Sequence, residues 1–488
     1  MLIIYLFCAC VFLFLVSRFK NYNYWKKRNI VQVNGVLTNF MFSNRALAEV
    51  IKDLYERYTS EKYIGIFLGS KPAVIVKDPR DIQVVTGQFE SFHSRGLMTS
   101  ENDVLGDNLL FMDDYRRWKL IRTKLSPVFT SMKLRNIFYI FDKCARDFVD
   151  YIQESDDFKV SPHKGIYSFT TGCITASIFG LNEKIKTMDS PFLKMIQEAV
   201  NPSLLNNTKF MIRNILPKLF KMLNLTVLGD NEEFFVGAIK KVFNARKTSS
   251  DKRYDFIETY LQLKEEGIMR DASTGYELKP TDEILAAQAY FFFVAGVDTS
   301  ATAIHFTLME LACNQHILIK LHNEIDTVFE ECHDNLTPDD VDKLKYMDKV
   351  INEALRKYPP IGMMQRRCTK DAILPAGNLV IKKDEIVIVP ILALHRNPQY
   401  FPNPDEFDPE RFDKENVGSI ESSCYLPFGM GNRVCLGARF ARLQMKCCLA
   451  WILRKYTLKY NKWKPHFEPS PFAVRDTKAK FELIPRKL

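Results

Sequence analysis

Cys435 sits in the run Phe428-Gly429-Met430-Gly431-Asn432-Arg433-Val434-Cys435-Leu436-Gly437, whose composition suits a sulfur that binds a metal. Gly429 and Gly431 tolerate positive φ and let the backbone approach closely. Backbone N–H groups in such a loop can point at the sulfur, and Arg433 places a cation two residues away. Both favour thiolate over thiol. Gly437 lets the following helix lie close against whatever the sulfur holds, so the pattern reads as a thiolate on a metal carried by a flat ligand. The alternative is a buried cysteine in a glycine-rich turn. The length and mixed residue types of Phe-x-x-Gly-x-Arg-x-Cys-x-Gly weigh against it.

A second constellation lies inside a long apolar helix. Thr281 is suited to an N-cap, with Asp282 and Glu283 at the positive helix end, and helix-compatible residues continue to about Asn314. Within it, Ala295-Gly296-Val297-Asp298-Thr299-Ser300 breaks the local rules. A mid-helix glycine costs about 1 kcal/mol relative to alanine, and a threonine there can bond a carbonyl one turn back and bend the helix. Such violations in a core belong at functional sites, although a kink with Asp298 facing water-filled space would look the same. Glu353 and Arg356, three apart ahead of Pro359-Pro360, share one helix face and can pair.

These residues need a large frame. The chain has 488 residues, 47% hydrophobic and 12% aromatic with 37 phenylalanines, enough for one core around a bulky apolar ligand. No Gly/Ser/Pro-rich linker or internal repeat divides it. Strand-like runs at Tyr63–Leu68, Ala73–Lys77 and Ile386–Val389 predict a small sheet beside a helical body. The net charge of +10 without a basic tract argues against nucleic-acid binding and suits an acidic membrane surface or an acidic protein partner. The 11 cysteines form no zinc-type pairs.

Leu2 through Val16 are apolar, slightly short of the ~20 residues needed to cross a bilayer. Arg18 and Lys20 can snorkel, and Phe19, Tyr22, Tyr24 and Trp25 suit the headgroup zone. Cations follow the run and none precede it, which favours an uncleaved anchor with its C-terminal side in the cytosol over a cleavable signal peptide. The expected division is an anchor segment over 1–25 and one catalytic domain over 26–488. No proline occurs between the basic flank and Pro72, so no proline-stiffened hinge follows the anchor.

The cysteine loop, the Ala295–Ser300 run, the Glu-x-x-Arg segment with Pro409-Glu410-Arg411-Phe412 downstream, and Trp118-Lys119-Leu120-Ile121-Arg122 together resemble the cytochrome P450 superfamily. The likeness covers nearly everything after residue 50. Segments such as Phe92-His93-Ser94-Arg95-Gly96 and Leu355–Pro360 are similar to insect microsomal, detoxification-type members. The resemblance implies a mainly α fold with a small β lobe and haem b held by Cys435 as axial iron ligand, the thiolate pushing electron density that favours O–O cleavage. It implies Phe428, Gly429, Gly437 and Gly296 around the haem, with Gly296 making room for O2. Thr299 becomes the hydroxyl that assists oxygen activation, and Asp298 the acid that relays protons from water. Trp118, Arg122, Arg433 and Arg366 are implied as propionate donors, with Arg367 the rival of Arg366, and His395 near the porphyrin edge. Glu353, Arg356 and Arg411 are implied to form a buried structural triad.

The implied activity is insertion of one oxygen atom from O2 into lipophilic molecules, whether xenobiotics or hormones, lipids and pheromones, at the endoplasmic reticulum membrane. No dinucleotide or flavin motif and no iron–sulfur cluster occurs. Electrons are therefore expected from a separate NADPH-cytochrome P450 reductase, with cytochrome b5 as a further donor, docking on cations such as Arg116, Arg117, Lys119, Lys124, Arg439 and Lys446. A haem-thiolate protein without monooxygenase turnover, an isomerase or a lipophile-binding sink, is the alternative. It has no need of the Asp298-Thr299 pair.

Overall fold

The structure, a computed structural model, describes residues 22–97, 103–180, 232–247 and 255–487, with isolated positions between 194 and 226. The expected anchor over 1–25 falls largely outside these.

The body is helical with one five-stranded sheet, and the named strands lie where the alternation predicted. β1 (Val31–Gln32), β2 (Tyr63–Leu68), β3 (Lys71–Val76), β4 (Met364–Arg367) and β5 (Ile386–Val389) stand in the order β1-β2-β3-β5-β4. β2 pairs antiparallel with β3 (Tyr63 opposite Val76) and β3 parallel with β5 (Ile75 opposite Ile388). β4 closes the sheet antiparallel to β5, with Gln365 opposite Ile388. All four residues of β5 are buried, which matches its unbroken β-branched run.

Five helices position the site. α1 (Tyr115–Leu125) starts on an Asp114 cap whose carboxylate accepts the Arg116 N–H at 2.8 Å. α2 (Pro162–Phe179) is buried along nearly its whole length. α3 (Asp282–Cys313) begins at Thr281, whose hydroxyl accepts the Ile284 N–H at 3.3 Å, and runs unbroken for 32 residues. It is apolar enough to cross a bilayer, yet it is packed against α2, α4 (Lys345–Lys357) and α5 (Ala438–Lys455). Its hydrophobicity serves a protein core.

The Glu353 triad is present. Arg356 donates to both Glu353 oxygens, at 2.7 and 2.8 Å, with both side chains fully buried. Arg411 completes it 3.4 Å from Glu353. Arg356 also donates to the carbonyls of His395 and Glu406, at 2.9 and 3.1 Å. α4 is thereby tied to two later loops.

One expectation is corrected at the N-terminal edge. Trp25 is not a headgroup residue: it is fully buried, and its indole N–H donates to the Ile66 carbonyl at 3.0 Å. A Cβ on Gly65 would run into that ring. Tyr24 bonds Glu385, and Arg28 pairs with the same carboxylate at 2.6 Å. Burying the indole is worth about 1.5–3 kcal/mol and its N–H finds a partner, so the sheet out-competes an interface for it. The folded body thus includes Tyr24 and Trp25, ahead of the boundary expected at 25.

Candidate active site

Cys435 lies just before α5 and opens onto a cavity of about 650 Å³. The loop is held from three sides. The Cys435 N–H donates to the Phe428 carbonyl at 2.9 Å, and Arg122 donates to the Val434 carbonyl at 2.8 Å. Gly431 has φ +72°, and any Cβ there would strike the Thr86 carbonyl oxygen.

Burial pushes the Cys435 thiol above its ordinary range. A Gly437 N–H and the charges of Arg122 and Arg95 pull the other way. The cation expected to favour the thiolate, Arg433, is thus replaced in that role by two arginines distant in sequence. The loop does not by itself strip the proton; a metal that takes the sulfur would displace it.

Four guanidinium groups line one side of this cavity: Arg95, Arg122, Arg366 and Arg433. Their hydrogen bonds run to backbone carbonyls. Arg95 donates to Leu109 and Leu110 (3.0 and 3.2 Å), and Arg433 to Leu109 and Met112 (3.1 and 3.0 Å). Arg366 donates to Gln365 (2.9 Å). Among the described residues none of the four forms an ion pair with a carboxylate. Burial draws Arg433 down to about 9 and Arg366 to about 10. Arg95 is lowered well below its ordinary value by burial and then by the neighbouring arginines. So many buried cations without an anion are costly, and the cluster calls for a negatively charged occupant.

Alternation along β4 sends Arg366 and Arg367 to different faces. Arg366 faces the cavity, whereas Arg367 faces away and pairs with Asp113 and Asp384, each at 2.6 Å. Arg95 was missed as a site residue. It stood within a quoted segment, but nothing in the local sequence shows that residues 95, 366 and 433 converge.

Two expected haem neighbours are placed differently. Trp118 does not line the cavity; its ring supports Arg433, whose guanidinium carbon lies 4.1 Å from the ring centroid. His395 is a correction: it is fully buried off the cavity, where its Nε2 accepts the Leu426 N–H at 2.8 Å. Its Nδ1 sits 3.2 Å from the Arg356 carbonyl, so the proton is on Nδ1 and the ring serves the loop framework.

From α3, Gly296, Asp298 and Thr299 line the same cavity as the cysteine. The Thr299 hydroxyl donates to the Ala295 carbonyl at 2.7 Å, and the helix remains continuous through it. Gly296 lines the cavity, but its missing side chain is occupied from α2: a Cβ would meet Ile174 Cδ1 at 2.5 Å. The glycine therefore also answers close helix packing. Asp298 accepts hydrogen bonds from Tyr167 of α2 and from Arg475 (3.3 Å), neither of which sequence reasoning found. His305, one helical face further on, is buried against His163 and Phe306 and lines no part of the cavity.

The remaining walls are apolar. Phe291 and Phe292 face the cavity, while Phe293 is turned away toward Phe235. Ile361, Met363, Pro471 and Phe472 add to the lining. Of the cations expected at a docking face, Lys446 is corrected: it is buried and paired with Asp348 at 3.0 Å. Lys119 and Lys124 pair with Asp271 and Glu266, and Arg117 with Asp107. Arg116 and Arg439 are exposed.

The fold and site define a class in which a thiol and an acid–hydroxyl pair line one large, cation-edged apolar cavity. The sequence model described as Cytochrome P450 matches residues 29–483, and the chain belongs to that family, whose members are haem-thiolate monooxygenases. Among its relatives are Cytochrome P450 6B7 of Helicoverpa armigera, 32% identical over 91% of this chain and 89% of that protein, and Cytochrome P450 6k1 of Blattella germanica, 30% identical over 91% and 88%. Cytochrome P450 9e2 of Blattella germanica is 32% identical over 95% and 92%. The chain is a monooxygenase enzyme of this family.

Proposed function

We propose that the cavity holds haem b and that the enzyme inserts one oxygen atom of O2 into lipophilic small molecules. The single observation that supports this reading best is the four-arginine cluster beside Cys435. A flat ligand carrying two carboxylates and a metal would supply both the missing anions and the missing partner for the sulfur. Cys435 would hold the iron, and Arg95, Arg122, Arg366 and Arg433 would hold the propionates. Phe428, Gly429 and Gly437, which line the cavity beside the sulfur, would pack against the ring. When bound, haem supplies the activation of O2 and the oxygen transfer.

The protein's part is positioning and proton handling. Phe291, Phe292, Ile361, Met363 and Phe472 exclude water and favour an apolar substrate. Thr299 and Asp298 stand on the wall where a proton must be delivered, the hydroxyl oriented by its bond to Ala295 and the acid fixed by Tyr167 and Arg475. Electrons would come from an NADPH-cytochrome P450 reductase, aided by cytochrome b5, docking near exposed Arg116 and Arg439. The apolar run Leu2–Val16 would anchor the enzyme in the endoplasmic reticulum membrane, with the catalytic body in the cytosol.

The named relatives belong to insects, and the apolar cavity suits either foreign lipophiles or hormones, lipids and pheromones. The test is purified enzyme with reductase, NADPH and isotope-labelled dioxygen over a lipophilic panel. Label in a substrate-dependent product is expected. A haem-loaded enzyme that labels nothing would favour an isomerase or binding sink.

A further inference from the structure

Residues 468–475 form a closed turn. The Glu468 N–H donates to the Arg475 carbonyl at 2.9 Å, and the Ser470 hydroxyl accepts the Ala473 N–H at 3.0 Å. The turn is stitched to the chain beyond α4, with the Val474 N–H on the Pro360 carbonyl at 3.0 Å and Ala473 bridged to Ile361. Its tip, Pro469 to Phe472, lines the cavity that a substrate would occupy. Its base ends in Arg475, whose side chain is 4% exposed and reaches across to Asp298.

Asp298 is therefore not a lone acid on a helix. One of its oxygens, Oδ1, accepts from Arg475 at 3.3 Å and from the Tyr167 hydroxyl, while its side chain is 13% exposed and borders the cavity. Two donors on one carboxylate oxygen select one rotamer. The other charge beside Arg475 is Glu468, at the start of the same turn. Burial together with the Asp298 charge raises Tyr167 well above the usual range, so its hydroxyl stays a donor.

We propose that Arg475 is a positioning residue for Asp298, mechanically joining the turn that touches substrate to the acid that handles protons. The inference rests on the proton-handling reading of Asp298. Substrate pressed against Pro469–Phe472 shifts the base of the turn, and the only ion pair of Asp298 among the described residues is anchored at that base. Tyr167 is the second tether: it reaches the same Asp298 oxygen from α2, and its hydroxyl also bonds Arg475.

The test is a double-mutant cycle in the full-length, haem-loaded enzyme: Arg475→Met, Asp298→Asn and the pair, with Arg475→Lys and Tyr167→Phe as milder probes should the methionine variant fold poorly. The first readout is the unfolding temperature without turnover. Arg475→Met is expected to lower it by about 2 °C or more with Asp298 present and by clearly less in the Asp298→Asn background. The second is the share of NADPH electrons recovered in the product of an alkoxycoumarin probe against the share lost as hydrogen peroxide. Arg475→Met is expected to cut the product share at least about tenfold, Arg475→Lys to restore part of it, and Asp298→Asn to leave nothing further for Arg475→Met to remove. Additive unfolding shifts, or an equal loss of product share in both backgrounds, would overturn the proposal. An Asp298→Asn enzyme with undiminished product share would instead overturn the proton-handling reading, and with it the functional half of this inference.

Discussion

The two walls of the cavity are built on different terms. The cysteine wall is a contiguous loop whose tight points meet backbone: Gly431 is fixed by φ +72° and the Thr86 carbonyl, and Arg122 bonds a main-chain oxygen next to Cys435. The other wall is a composite of α2, α3 and two separate turns, and its tight points meet side chains, as Gly296 does at Ile174 Cδ1. Backbone cannot be substituted and hardly yields. Side chains can be exchanged or can move. One cavity thus has an inflexible half and an adjustable half.

The largest expected effect lies behind the inflexible half. Glu353→Gln leaves Arg356 buried without its counter-charge and should cost about 3–5 kcal/mol in denaturant unfolding, with haem lost in parallel. A loss below about 1 kcal/mol would show that the triad is not the brace it resembles.

The glycines test the contrast itself. Gly431→Ala combines a left-handed backbone with a clash against main chain and should cost about 2–4 kcal/mol. Gly296→Ala gains helix propensity and displaces only the end of Ile174, so its unfolding midpoint should move by less than about 1 kcal/mol. Equal penalties would erase the distinction between the walls.

Among the cations, Arg95→Gln and Arg366→Gln should each weaken haem retention by a factor of about 10–100, the worth of a charge-assisted hydrogen bond of about 1.5–3 kcal/mol. Arg367→Gln, whose charge is satisfied by Asp113 and Asp384, should leave haem retention within about twofold in apomyoglobin-capture measurements.

Acidification should act on the framework. Burial, and then the Arg356 charge, push His395 from 6.5 to about 3, so between those values the unfolded chain holds a proton that the folded one refuses. Stability from this residue is therefore complete above pH 6.5 and falls as pH drops toward 3, by at most about 1.4 kcal/mol per pH unit. Denaturant midpoints from pH 7 to 4 should slope accordingly, and less steeply in His395→Gln.

The same division governs what could be read from sequence. The cysteine loop, the Glu353–Arg356 pair and the α3 boundaries were legible because neighbours in sequence are neighbours in space. Trp118 and Arg122 lie one turn apart, but only the fold shows that the ring backs Arg433 instead of facing the cavity. Arg95 and Arg475 were illegible for the converse reason: each is a lone arginine whose meaning comes from residues hundreds of positions away. Trp25 was misread because an aromatic beside cations looks interfacial until Gly65 supplies a slot for it.

The most direct measurement of the central claim is the carbon monoxide difference spectrum of reduced wild-type and Cys435→Ser proteins. The account predicts a thiolate-type Soret band in the wild type and its loss in the variant. A variant that retained that band would place the iron ligand elsewhere and contradict the site built around this sulfur.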